Sequence, residues 1–285
     1  MTANGARPAG WRPQLVILDL DGTVVPYAEE HVPPSPRTQA AVAATLRAGV
    51  PVIIATGRAV WSALPTAADL GLHGVELVCS NGAVVYDPDS ASVLHAVTID
   101  PGPAARALAA GKDGLTFAVE HGTEGFRTTP GFPRDFPSRF LDTASMAEIV
   151  AGPTTRLVAR LESSRPTELS FEAFGAEAAA ARELCDAVLD PDVYGWEIGY
   201  TGWIDVMAPG VTKATGAAML AADLGVDPSG VLAVGDGEND LPLFEWAGWS
   251  VAMGQAPPEV RAAADEVTAS VTHDGAAVVL EHWFG

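Results

Sequence analysis

Four short apolar runs, each bounded by Gly or polar residues, set the tightest limit on what this chain can fold into. Leu15-Val16-Ile17-Leu18 halts at Asp19, and Val50-Pro51-Val52-Ile53-Ile54-Ala55 halts at Thr56. Glu76-Leu77-Val78-Cys79 halts at Ser80-Asn81-Gly82, and Val231-Leu232-Ala233-Val234 at Gly235-Asp236. A strand with water on one face alternates apolar and polar residues. A continuous apolar run fits a strand buried on both faces, as in a parallel sheet. Helical patterns lie between the runs, over residues 38–48 after the first and 213–224 before the fourth. Alternating strands and helices predict an α/β fold with crossover connections. Ligands of such sheets bind beyond the carboxyl ends of the strands, so the polar residues that end the runs converge on one crevice.

The middle of the chain has a different pattern. Residues 93–97, 115–120, 156–161, 193–199 and 203–207 read as strands with more alternation, and 176–189 as a helix rich in Ala, Glu and Leu, with Gly175 at its entry. These features predict an α+β insertion over residues 83–199 within a core split between 1–82 and 200–285. A chain of 285 residues also fits about two domains. Its 36 Asp and Glu against 16 Lys and Arg give a formal charge of −20, which argues against nucleic acid and anionic membranes as partners. No run approaches the ~18 apolar residues of a membrane span, and residues 1–14 contain no apolar signal core. Two cysteines, Cys79 and Cys185, do not make a disulfide framework. A soluble, cytoplasmic protein is expected, with the oligomeric state left open.

The chemistry-bearing residues sit where the apolar runs stop. In Asp19-Leu20-Asp21-Gly22-Thr23, two carboxylates two positions apart can hold a divalent cation and divide the roles of nucleophile and general acid/base. The same five residues also suit an Asp-rich turn. A calcium loop does not fit, because its sixth position, which needs Gly, is Val24. Gly235-Asp236-Gly237-Glu238-Asn239-Asp240 forms a second acidic turn whose oxygen donors suit Mg²⁺, and neither turn is rich in the His or Cys that zinc prefers. In Thr56-Gly57-Arg58 the hydroxyl can meet a phosphate oxygen, or simply cap a helix, and Arg58 can pair with an anion or make a surface contact. Lys213, one of two lysines, offers a compact ammonium at a helix start, suited to neutralising a nucleophile and a phosphate.

Asp19/Asp21, Thr56, Lys213 and Asp236/Asn239/Asp240, in that order and each at a strand end or helix start, resemble the haloacid dehalogenase superfamily of phosphohydrolases, in its Cof-type branch. The likeness continues through Met207-Ala208-Pro209-Gly210-Val211-Thr212, Val251-Ala252-Met253-Gly254 and His273-Asp274-Gly275-Ala276. It covers nearly all of the core, and the insertion by position and size alone. The resemblance implies a Rossmann-like parallel-sheet core with an inserted α+β cap. It implies a Mg²⁺-dependent phosphatase acting on a small phosphorylated metabolite, such as a sugar phosphate. On this basis Asp19 is the nucleophile that becomes an aspartyl phosphate, and Asp21 protonates the leaving oxygen and then activates water. Asp19, the Asp21 carbonyl and Asp236, with Asn239 and Asp240 nearby, hold the metal. Thr56 and Lys213 bind the phosphoryl group, and Gly57 and Arg58 join them in binding the substrate.

Two positions depart from the family pattern: Gln255 replaces the usual Asn after Met253-Gly254, and Val24-Val25 replaces a leucine after Thr23. A phosphomutase or phosphotransferase, and a non-catalytic phospho-ligand module, are the alternative functions. A receiver domain is excluded, because Lys213 precedes the second acidic turn and a long insertion intervenes. Glu120-His121-Gly122-Thr123 and Arg127 are candidates to face the site from the insertion. The six histidines show no ligand spacing, and Trp283-Phe284 suit packing against the core.

Overall fold

The computed structural model describes residues 10–28, 30–134, 138–161, 171–199 and 202–285. The chain divides into two compact units, residues 1–95 with 212–285, and 96–211. The first unit begins with β1 (Leu15–Leu18), α1 (Pro36–Arg47), β2 (Val52–Ala55), α2 (Val60–Asp69), β3 (Leu77–Cys79), β4 (Val84–Asp87) and β5 (Ser92–Ala96). The second holds α3 (Pro101–Gly111), β6 (Leu115–His121), β7 (Gly125–Thr128), β8 (Phe140–Thr143), α4 (Met146–Ile149), β9 (Leu157–Leu161), α5 (Phe171–Val188), β10 (Gly195–Ile198) and β11 (Ile204–Met207). The first unit resumes with α6 (Lys213–Asp223), β12 (Val231–Gly235), α7 (Leu241–Trp246), β13 (Trp249–Ala252), α8 (Pro258–Ala263), β14 (Glu266–Val267) and α9 (Gly275–Phe284).

Among the described residues the first unit has one eight-stranded sheet, ordered β14-β13-β12-β1-β2-β3-β4-β5. Its strands from β14 to β3 run parallel, and β4 turns back antiparallel on β3. The apolar runs explain why. In β1, Val16 and Leu18 join one buried cluster with Val42 of α1, Ala63 of α2 and Leu280 of α9. Leu15 and Ile17 face the other way, into a cluster with Ala217 of α6, Phe244 of α7 and Val260 of α8. Both faces are covered by helices, so neither can tolerate a polar residue. Ser35 caps α1 by accepting from the Thr38 N–H at 3.1 Å, with Pro36 in the first turn. Thr212 and Thr215 form a reciprocal capping box that starts α6 at Lys213.

The second unit carries a six-stranded sheet among its described residues, ordered β10-β11-β9-β6-β7-β8. One face packs Phe117, Val119, Leu157, Ala159, Ile204 and Val206 against residues of α3 and α5. The alternate residues Glu120, Arg156 and Asp205 meet in a buried ion triad, Arg156 bonding each carboxylate at 3.0 Å.

The inserted unit is displaced from the expected 83–199, to residues 96–211. β4 and β5 hydrogen-bond onto the core sheet, which moves the first boundary later. β11 pairs with β9 and β10 rather than with the core, which moves the second. The helix expected from residue 176 begins at Phe171, so Gly175 lies inside it instead of at its entry. No helix among the described residues is long and apolar enough to cross a membrane.

Candidate active site

The parallel strands deliver their polar end residues to one place within the first unit. Asp19 follows β1, Thr56 follows β2, Ser80 follows β3 and Asp236 follows β12, while Lys213 enters from the first turn of α6. The Lys213 side chain has no solvent exposure. Its Nζ lies 2.8 Å from Asp19 Oδ1 and 2.7 Å from Asp240 Oδ1. Burial alone would strip the proton from this amine, but the two carboxylates outweigh it and hold the lysine above its ordinary pKa.

The acids respond in the opposite sense. Burial first, then the charges of Asp240 and Asp236, push Asp19 well above the usual carboxylate range, against the pull of Lys213. Asp236 is pushed up to about 7 by burial and by Asp240, although Lys213, Gln255 and Tyr27 oppose the shift. Carboxylate oxygens of Asp19, Asp236 and Asp240 lie within 4.8 Å of one another. One ammonium against three buried carboxylates leaves an excess of negative charge with hard oxygen donors, which fits a divalent cation such as Mg²⁺.

Asp240 is engaged on both oxygens. Its Oδ1 accepts from Lys213, and its Oδ2 accepts from the N–H groups of Asp236 and Gly237 at 2.9 and 3.0 Å. It therefore latches the acidic turn and fixes the lysine. Asp236 is held from its other side: Gln255 Nε2 donates to it at 3.2 Å and to the Gly22 carbonyl at 2.6 Å, and the Tyr27 hydroxyl donates at 3.2 Å. Gly22 has φ +76°, and a Cβ there would overlap the Asp236 carboxylate. Two independent constraints, backbone sign and close approach, thus demand glycine at this position.

Arg58, expected to meet an anion or the surface, meets an anion of the protein itself. Its Nε and Nη2 bond the two oxygens of Asp21 at 2.7 and 2.5 Å, and Nη1 donates to the Thr66 hydroxyl at 3.2 Å. Burial lowers the guanidinium pKa, but the bond to Asp21 and its charge outweigh this and hold Arg58 above its ordinary value. Thr56 is buried, and its hydroxyl oxygen accepts from the Arg58 N–H at 3.1 Å. Asn239 donates through Nδ2 to Asn81 Oδ1 at 3.0 Å.

The candidates from the inserted unit have partners inside that unit. Glu120 is buried against Arg156, and Arg127 pairs with Asp142 at 2.8 Å. Tyr27 and Asn81 went unread in the sequence as site residues. Asn81 stood there only as part of the turn that stops an apolar run, while Tyr27 sits in a polar loop with no pattern around it.

A family profile described as haloacid dehalogenase-like hydrolase matches residues 16–280. A phosphoglycolate phosphatase of Methanothermobacter thermautotrophicus is 25% identical over 270 residues, which is 95% of this chain and 98% of that one. Among solved structures, the phosphatase BT1666 of Bacteroides thetaiotaomicron superposes with a TM-score of 0.74 at 25% identity, covering 99% of this chain and 98% of the other. The subclass IIB sugar phosphatase BT4131 shares the fold with a TM-score of 0.75 at 23% identity, covering 94% and 98%.

Proposed function

The chain belongs to the haloacid dehalogenase-like hydrolases and is a phosphatase, and from that premise we propose that it hydrolyses a small phosphorylated metabolite through a phosphoryl group carried on Asp19. The observation that carries this reading is the buried cluster in which Lys213 bridges Asp19 and Asp240 beside Asp236. A carboxylate held by a lysine at the end of a parallel strand is placed to attack, and Lys213 is placed to neutralise the oxygens of what it attacks. In the first step an Asp19 oxygen forms a bond to phosphorus while the ester P–O bond breaks. Asp21 gives a proton to the departing oxygen, and both of its oxygens are bonded to Arg58, so this transfer requires that pair to open on one side. In the second step Asp21 takes a proton from water as the water oxygen attacks phosphorus and frees Asp19. Thr56 and Lys213 hold the phosphoryl oxygens through both steps, and Asp240 keeps Lys213 in place. Mg²⁺, held by Asp19, Asp236 and the Asp21 carbonyl with Asn239 alongside, would neutralise the charge that builds on the transferring group.

The substrate class follows the named relatives, one a phosphoglycolate phosphatase and one a sugar phosphatase. Both names point to small phosphate monoesters, with a sugar phosphate or a related phosphorylated polyol preferred here. The test is phosphate release from a panel of sugar phosphates, phosphoglycolate, nucleotides and a chromogenic ester, with Mg²⁺ and with chelator. Turnover that needs Mg²⁺ and vanishes in Asp19→Asn is the expected result. Full turnover in Asp19→Asn would overturn the mechanism.

A further inference from the structure

The turn that closes β3 has an uncommon backbone. Ser80 has φ +51°, Asn81 +54° and Gly82 +98°, three left-handed residues in succession, two of them carrying side chains. All three are buried. Left-handed non-glycine residues are disfavoured and tend to persist where a function holds them.

Several groups of the turn engage other pieces of the site. The Ser80 N–H donates to the Arg58 carbonyl at 2.8 Å and the Asn81 N–H to the Thr56 carbonyl at 3.0 Å, so the turn grips the Thr56–Arg58 loop at both ends. Asn81 Oδ1 accepts from Asn239, and a Cβ on Gly57 would sit 3.0 Å from that same oxygen. Gly82 packs so closely on the carbonyl of Thr212 that a Cβ there would overlap it, which ties the turn to the residue before Lys213. Three loops, distant in sequence, therefore meet on this turn, and the Asn81 amide oxygen is the group that reaches Asn239.

We infer that Asn81 is a positioning residue for the phosphatase reaction: it fixes the Asn239 amide and the Thr56–Arg58 loop in one arrangement, so that the phosphoryl and Mg²⁺ sites form together. The inference rests on the reading of this site as a Mg²⁺-dependent phosphatase. Asn239 has an amide that can present either end. By accepting from Nδ2, Asn81 directs the donor end toward itself and leaves Oδ1 for the acidic turn, where it lies over Gly237. Partners that orient a metal-binding group in this way change metal affinity or activity by about 10–100-fold when removed.

Asn81→Gly separates positioning from folding, because glycine adopts φ +54° without strain and keeps the backbone N–H on the Thr56 carbonyl while removing the side chain. The expected variant still unfolds in one cooperative transition, at a modestly lower temperature than the wild type, because Asn239 Nδ2 loses its acceptor. It binds Mg²⁺ about tenfold or more weakly by titration calorimetry on the full chain, and loses kcat by a similar factor. Adding Asn81→Gly to Asn239→Ala should cost little beyond Asn239→Ala alone, since both remove one interaction. Asn81→Asp, which keeps an oxygen acceptor and tolerates the left-handed backbone, should recover most of the lost kcat. A folded Asn81→Gly with unchanged kcat and Mg²⁺ affinity overturns the inference, as do losses that multiply in the double variant or an Asn81→Asp as poor as glycine. A wild-type protein that releases no phosphate from any ester, yet loses Mg²⁺ affinity in Asn81→Gly, would refute the phosphatase reading and leave the positioning role standing.

Discussion

A lysine without solvent exposure must take its hydrogen-bond partners from the protein, and Lys213 takes two carboxylates, Asp19 and Asp240. Deleting one side of a buried pair leaves the other charge uncompensated, a loss of about 3–5 kcal/mol. Lys213→Met is therefore expected to lower stability to urea by about that amount near neutral pH, besides abolishing turnover. The pH dependence has a definite sign. Asp19 already titrates above its unfolded value of 3.8, and losing Lys213 raises it further. The deficit should thus be largest at neutral pH and shrink toward pH 4, where the unfolded chain also binds the proton. A variant as stable as the wild type across that range would show the pair to be energetically neutral. At this scale the sequence is most legible where chemistry and strand ends coincide. Asp19, Thr56 and Asp236 each follow an apolar run directly or within one residue, so their placement could be read without knowing the fold. Asn81 and Tyr27 could not be read in this way, because their partners Asn239 and Asp236 lie 158 and 209 positions away. No local pattern encodes which amide will face which.

Strands buried on both faces leave the strongest sequence trace: β1, β2 and β3 lie within the apolar runs, and β12 extends the fourth by one residue, Gly235. The strands that left little trace are those whose burial is partial or whose residues are atypical. β8 is largely exposed, with the sequence Phe140-Leu141-Asp142-Thr143, and β7 opens on Gly125. β4 is buried but follows so closely on the left-handed turn that it reads as the start of an insertion rather than a return strand. Helix α5 shows the reverse situation, with an apolar face legible from its Ala and Leu content and a start that is not. Cys185 lies on that face, buried among Leu108, Ala181 and Leu189. Burial, then the charge of Asp186, pushes its thiol up to about 12, with Arg182 opposing. The thiolate is the reactive form, so at pH 8 the folded protein should leave Cys185 unmodified by a thiol reagent that labels it readily in denaturant. The same shift favours the protonated thiol in the fold. That contribution is complete below pH 9, the unfolded value, and is lost as pH rises toward 12. Labelling of native Cys185 at pH 8 at the rate of a free thiol would mean that α5 does not seal this face.

Acidity is the property of the whole chain that the sequence states outright, and its consequence is concentrated in one place. The net charge is −20, and salt screens such charge at the surface beyond about 8 Å. The α/β class and the split core could be read from the order of apolar runs. The exact division at 95/96 and 211/212 could not, because it depends on which sheet each short strand joins. Around Asp236 the excess charge is not screened. That residue is 1% exposed, and its pKa near 7 reflects burial beside Asp240. A carboxylate raised from 3.8 to about 7 destabilises the fold by roughly 4 kcal/mol above pH 7. The sign follows from the shift. The fold prefers the protonated acid, so the contribution is complete below 3.8 and disappears as pH rises through about 7. Asp236→Asn removes the charge and keeps the shape, and in chelator it is expected to melt several degrees higher than the wild type. Mg²⁺ should close most of that gap. In the wild type a ligand at 100 times its dissociation constant adds about 2.7 kcal/mol, whereas the variant, lacking a principal donor, should gain little. Melting both proteins with Mg²⁺ and with chelator at pH 7.5 therefore reads two opposite effects of one residue. A variant that melts lower in chelator and still responds fully to Mg²⁺ would show that Asp236 supports the turn without holding the ion.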